Sequence, residues 1–251
     1  MLRLLALIAL AAPLAAYASA VVQAFSGDVR VGGTPVTQDQ RIFRGSSVTT
    51  GNGSRLILRF DDGQQVVLDQ NTEFRVADFQ FSAGSPREDR SVFDLVKGAL
   101  RVVTGVIGRR SQDAFQLRTP QMTIGVRGTD FMVAVVNPGY VNVLQGSVAV
   151  TNAGGTAVFS QGATAMALNS ATVATAVSAA QLPAAASGAF INLASANLAA
   201  AGGAFGGQAG GASAAAVSKP LATALIFGAI AVGVAAVVSK DDDKTTTPTH
   251  H

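Results

Sequence analysis

Between residues 21 and 168 apolar and polar side chains alternate with a period of two, in short runs punctuated by Gly, Asn and Asp, the pattern of half-buried β-strands. Residues 54–60 read as one such strand, with Leu56, Leu58 and Phe60 on one face and Arg55 and Arg59 on the other. Asp61-Asp62-Gly63 follows as a hairpin turn, with Gly63 placed to take a positive φ, and 64–69 read as the return strand. Strands at 132–136 and 140–144 flank Asn137-Pro138-Gly139, where proline fixes φ and glycine is expected in the left-handed position. No long helical pattern occurs before position 170, which argues against α/β classes.

One phrase recurs. Gly27-Asp28-Val29-Arg30-Val31, Gly98-Ala99-Leu100-Arg101-Val102 and Gly146-Ser147-Val148-Ala149-Val150 share the form Gly-x-apolar-x-apolar. Each is a glycine bend entering an alternating strand. Three unequally spaced copies point to repeated units in a sandwich, a roll or a short β-solenoid.

The two ends have a different texture. Residues 1–20 carry Arg3, an apolar run over 4–14 and the small-x-small site Ala18-Ser19-Ala20, the three parts of a secretory signal, so the mature chain is expected to start at Val21. Residues 169–219 are dominated by Ala, Gly and Ser and read as a mobile linker holding short helical pieces. Residues 220–239 contain an uncharged apolar stretch (221–238) long enough for a membrane-spanning helix, and 240–251 form a polar tail. The expected product is exported, periplasmic or otherwise in the cell envelope, and anchored to the membrane at its C-terminus.

Composition narrows the chemistry. The chain has no cysteine, and its two histidines are residues 250 and 251. Disulfides, thiolate metal sites, Cys nucleophiles and His-dependent triads or proton shuttles are therefore excluded from the folded region. No catalytic, metal or cofactor constellation emerges, and the domain reads as non-enzymatic. Although the sequence pI is about 9.7, residues 21–170 hold 14 basic against 12 acidic side chains, interspersed along candidate strands. That is a solvated sheet face, not a nucleic-acid footprint. The one basic concentration is Lys97 with Arg101, Arg109, Arg110, Arg118 and Arg127, a stretch whose only acid is Asp113. Those five arginines are the candidate binding residues, suited to anionic glycans or acidic proteins wherever they share a face.

The order of motifs resembles the FecR domain, the periplasmic domain of iron-dicitrate-type transmembrane regulators, over about residues 25–165. The resemblance rests on Gly27-Asp28-Val29-Arg30-Val31, on Arg44-Gly45-Ser46-Ser47-Val48-Thr49-Thr50-Gly51, and above all on Phe115-Gln116-Leu117-Arg118-Thr119-Pro120 continuing into Ile124-Gly125-Val126-Arg127-Gly128-Thr129-Asp130-Phe131. It implies an all-β FecR-like sandwich, roll or short solenoid in the envelope. Regulators of that family carry a cytoplasmic anti-sigma segment and a membrane helix ahead of this domain, where the present sequence reads as a cleavable signal. Within the motif, Arg127 is either a recognition residue offering bidentate hydrogen bonds or the partner of an acid such as Asp130 or Asp94.

Three functional readings follow. The first is a non-catalytic module that binds or scaffolds an envelope protein or cell-wall glycan. The second is a regulatory accessory of a FecR-type surface-signalling system acting through a periplasmic partner. The third, an enzyme acting on polysaccharide, requires two carboxylates facing each other across a groove, and no motif carries it.

Overall fold

A computed structural model of the chain describes residues 19–111, 113–196 and 198. The expected signal segment up to residue 18 and the expected apolar helix at 220–239 lie outside the described residues. Among the described residues no helix is long and apolar enough to cross a membrane.

The alternating runs do form strands. The chain opens with β1 (Ala20–Ser26), β2 (Val29–Val31), β3 (Thr34–Pro35), β4 (Arg41–Ile42) and β5 (Ser47–Thr50). The hairpin β6 (Arg55–Phe60) and β7 (Gln65–Leu68) follows, then β8 (Glu73–Gln80) and the long β9 (Arg90–Val103). A one-turn helix α1 (Val106–Arg110) leads to β10 (Phe115–Arg118), the long strands β11 (Thr123–Val135) and β12 (Gly139–Asn152), and β13 (Gly155–Ser160). The short strands β14 (Thr164–Ala167) and β15 (Thr175–Val177) precede an eleven-residue helix, α2 (Ala184–Ala194).

All fifteen strands belong to one open sheet. Every pairing is antiparallel except β9 with β10, which is the pattern of a roll and not of a solenoid. The sheet doubles over because β9, β11 and β12 each serve in both halves. The second part of β9 pairs with β7 and with the second part of β11. Its first part pairs instead with β8 and β10. Likewise β12 pairs β14 along its first part and β13 along its last. The inner faces of both halves share one cluster, and a chain of rings stitches them together. Phe60 lies 5.0 Å from both Phe79 and Phe93, and Phe115 bridges Phe93 at 6.0 Å and Phe131 at 6.1 Å. Such tilted pairs contribute about 0.5–1.5 kcal/mol each beyond area burial.

The repeated Gly-x-apolar phrase marks the corners between the halves. Gly98 (φ 86°) and Gly146 (φ 81°) sit inside β9 and β12 where those strands bend, and Gly27 sits between β1 and β2. A Cβ on Gly98 would fall on Thr72, and one on Gly146 would lie 2.6 Å from the Gly128 carbonyl. Both corners thus require glycine for conformation and for space. A bend interrupts the ladder, and buried threonine hydroxyls replace the missing partners. Thr72 Oγ1 accepts from the Ala99 amide at 3.1 Å, and Thr104 Oγ1 accepts from the Thr129 amide at 2.8 Å.

Two local expectations change. At Asn137-Pro138-Gly139 the left-handed residue is Asn137 (φ 56°), after which the peptide bond is cis; Gly139 is already in β12. A Cβ there would approach the Met122 methyl to 3.0 Å, so a side chain at 139 requires Met122 to shift, while the backbone itself needs no positive φ. The region after 168 is not only linker. Ala186, Phe190 and Leu193 align on one side of α2 and pack on Ala24, Ile57, Val67, Ala134 and Tyr140 of the sheet's outer face. Arg55 Nη2 donates to the Asn192 carbonyl at 2.9 Å, and Arg101 Nη1 reaches the Leu193 carbonyl at 3.4 Å. Two cations therefore meet the negative end of the helix. At the other terminus β1 begins at Ala20, buried and paired with Ile42 and Phe60, one residue ahead of the expected mature start.

Candidate interaction surface

The sequence motif from 115 to 131 builds one corner of the roll. Thr119 closes the turn after β10, its Oγ1 accepting from the Met122 amide at 3.1 Å. Val126 enters the core and Arg127 points out to solvent. Gly128 (φ 60°) and Thr129 form the irregularity at which β11 shifts register against β12. α1 packs against this corner, so close that a Cβ on Gly128 would sit 3.6 Å from Arg109 Cγ.

What fixes α1 is Asp62, in the β6–β7 hairpin. Its side chain is buried; Oδ1 accepts from the Gln64 amide at 2.9 Å and Oδ2 from the Ile107 amide at 3.2 Å. The Asp62 carbonyl takes the Val106 amide at 3.0 Å. Gly105 has no Cβ because one would strike this carboxylate. Burial pushes the Asp62 carboxyl above the ordinary aspartate range, against the amides of Gln64 and Ile107 and the charge of Arg109, which pull it down. The Asp61-Asp62 pair is thus a turn in which one member is a structural anchor.

The five candidate arginines divide. Arg101 lies under α2 in a bidentate pair with Asp130, Nε to Oδ1 at 2.8 Å and Nη2 to Oδ2 at 2.6 Å, with both side chains under one-fifth exposed. Arg118 pairs with Asp94 at 2.9 Å on the outer face of the other half. Arg109, Arg110 and Arg127 come together around α1 and the bend of β11. Arg109 Nη1 donates to the Thr104 carbonyl at 3.1 Å, and Arg110 stands 3.8 Å from Asp89. Arg127 pairs with neither Asp130 nor Asp94, since each of those acids holds another arginine. Arg109 and Arg127 are exposed and form the basic part of this surface.

Sequence reasoning passed over Asp89. It sits between β8 and β9 after a 3-10 turn at Pro86–Glu88, and its side chain is only 2 % exposed. Oδ1 accepts from the Ser82 amide at 2.9 Å, whereas Oδ2 has no hydrogen-bond donor. No signal in the sequence distinguishes it from the other interspersed acids. Among the described residues no group of His, Cys, Asp and Glu is arranged to hold a metal ion.

The chain is similar to two crystal structures of a protein provisionally described as an anti-sigma factor, from Parabacteroides distasonis. They are 17% and 18% identical with TM-scores of 0.41 and 0.43, and each match covers 52% of this chain. It spans 58% of the length of those chains. No curated protein matches. Residues 46–149, which run from β5 through the corner motif into β12, match the family model described as FecR protein, and this part of the chain is accordingly a FecR domain.

Proposed function

We propose that this protein is a non-catalytic regulatory accessory of the cell envelope, working in a FecR-type surface-signalling system by contact with a protein partner. The observation that carries this reading is the family match over residues 46–149. The segment that matches is also the segment that builds the corner displaying Arg109 and Arg127. A rigid roll with buried threonine-tied corners is a platform and not a moving part; contact chemistry concentrates at its exposed cations. The folded region lacks His and Cys, so imidazole proton shuttling and thiol chemistry are not available to it.

The test places a photo-cross-linking residue at Arg109 or, as a control, at Ile191 on the exposed side of α2, in the full chain within its native envelope. A discrete protein adduct from position 109, with a reproducible change in a defined set of transcripts when Arg109 and Arg127 are both replaced by Glu, is the expected result. Absence of any position-specific protein adduct, with transcripts unchanged by the double replacement, overturns the reading.

A further inference from the structure

A cleft of about 420 Å³ lies on the outer face of the roll's second half. Its floor is a row across three strands: Asp78 of β8 is paired with Val92 of β9, which is paired with Gln116 of β10. Pro86, Arg87, Asp89 and Arg90 form one wall and Ser111, Asp113 and Ala114 the other, and the Ser91 amide bonded to the Ala114 carbonyl at 2.7 Å ties the two together. The Asp89 side chain, 2 % exposed, lines this cleft, and Oδ2 faces Arg110 Nη1 at 3.8 Å but accepts no hydrogen bond. Asp78 Oδ1 is also buried without one, although Arg44 Nε lies 3.3 Å away. Buried carboxylate oxygens without donors are costly, so the site is built for O–H or N–H groups from outside.

The floor continues beyond the cleft. Gln116 follows the Leu117–Ile124 pair and so neighbours Gly125; Gly125 is paired with Ala149 and Ala149 with Val158. Nothing lies within 4 Å of the place a Gly125 Cβ would occupy. The row, whose small side chains are Gly125 and Ala149 between Gln116 and the exposed Val158, dips into a shallow trough over β11 and β12. It is flanked by Thr123, Thr151 and Thr156 on one side and by Arg127 and Ser147 on the other. From β9 to β13 the row spans roughly 19 Å at about 4.8 Å per strand.

We infer that the cleft and trough bind a neutral, extended polyhydroxylated ligand, a glycan chain, with a hydroxyl group donating to Asp89 Oδ2. The direction of the trough, across the strands, excludes strand addition, which occurs along a sheet edge. Charge does not favour a cationic ligand: Arg87, Arg90 and the neighbouring Arg110 equal Asp78, Asp89 and Asp113 in number, so the cleft holds no net negative charge to draw a lysine-bearing peptide. A neutral O–H donor satisfies the carboxylate without adding charge. This inference does not depend on the protein partner proposed above and uses a different set of side chains for its anchor.

Calorimetric titration of the full chain with chitohexaose and maltohexaose, alongside their disaccharides and tri-lysine, tests it. Binding of at least one hexasaccharide is expected, weakened at least about tenfold by Asp89→Asn, which keeps the acceptor for Ser82 but presents an amide N–H where the ligand needs an acceptor. Gly125→Val fills the trough without touching the cleft. It is expected to reduce hexasaccharide affinity to that of the disaccharide and to leave the disaccharide unchanged. Melting midpoints matching the parent chain confirm that both variants fold. Failure of every oligosaccharide to bind, affinities indifferent to both substitutions, or salt-sensitive binding of tri-lysine alone overturns the inference.

Discussion

Gly98 and Gly125 are both glycines within strands, and they make opposite demands. At Gly98 the backbone is left-handed and the neighbouring Thr72 occupies the space a side chain would need. Gly98→Ala combines backbone strain with a clash against a residue that itself carries the corner's hydrogen bonds. The expected loss is about 3 kcal/mol, read from the urea midpoint at constant m-value. Gly125 has ordinary strand φ and open space, so Gly125→Ala should change stability by no more than about 0.5 kcal/mol. If both substitutions cost the same, the corner assignment fails. A pattern reader sees Gly98 only as the start of a recurring phrase. That the phrase is where a strand leaves one half of the sheet for the other is a property of long-range pairing: Lys97 pairs with Glu73, and Gly98 beside it with Val135.

At the scale of elements, the sequence offered short helical pieces after residue 168 but concealed that one of them, α2, docks on the sheet. Alanine and glycine dominate residues 169–219, and composition alone reads as a linker with short helical pieces that pack on nothing in particular. The helix owes its place to three residues, Ala186, Phe190 and Leu193, one turn apart on one face, and to a sheet whose outer surface is itself apolar. Ile57 and Val67 were legible as strand residues but not as members of a second core, because two-sided burial requires knowing that something covers the far face. The strands, the Asp62-Gly63 turn and the corner phrases were legible since each is a local pattern. The surface was legible only in part. Arg109 and Arg127 do lie near one another, whereas Arg101 is engaged beneath α2 and Arg118 by Asp94, since alternation and bends send neighbours in sequence to different faces. If α2 is an integral layer, Phe190→Ala, at a side chain in the second core, costs about 3–4 kcal/mol in unfolding free energy. Ile191→Ala, at the 68 % exposed neighbour, stays within about 0.5 kcal/mol. Equal small effects would make the helix an appendage.

Across the whole molecule the aspartates set how stability responds to pH. Asp61, Asp62 and Asp69 are all raised above the ordinary value of 3.8, in each case chiefly by burial. Asp69 stands beneath α2, where the Gln70 backbone amide, the Asn192 side-chain amide 3.4 Å away and the charge of Arg55 partly offset that burial. A carboxyl with a raised folded value holds its proton more tightly in the native state than in the unfolded chain. Its contribution to stability is therefore complete below 3.8 and is lost as pH rises through the folded value. The fold is thus expected to gain stability on mild acidification from neutrality toward that window, the opposite of a protein held together by carboxylates with depressed values. Urea midpoints taken between pH 7 and pH 4.5 should rise as pH falls. Asp69→Asn should flatten the rise, because its amide still accepts from Asn192 but no longer titrates. A midpoint that falls monotonically with acid, and that Asp69→Asn leaves unaltered in slope, would mean that the burial of these three carboxyls does not govern the pH response.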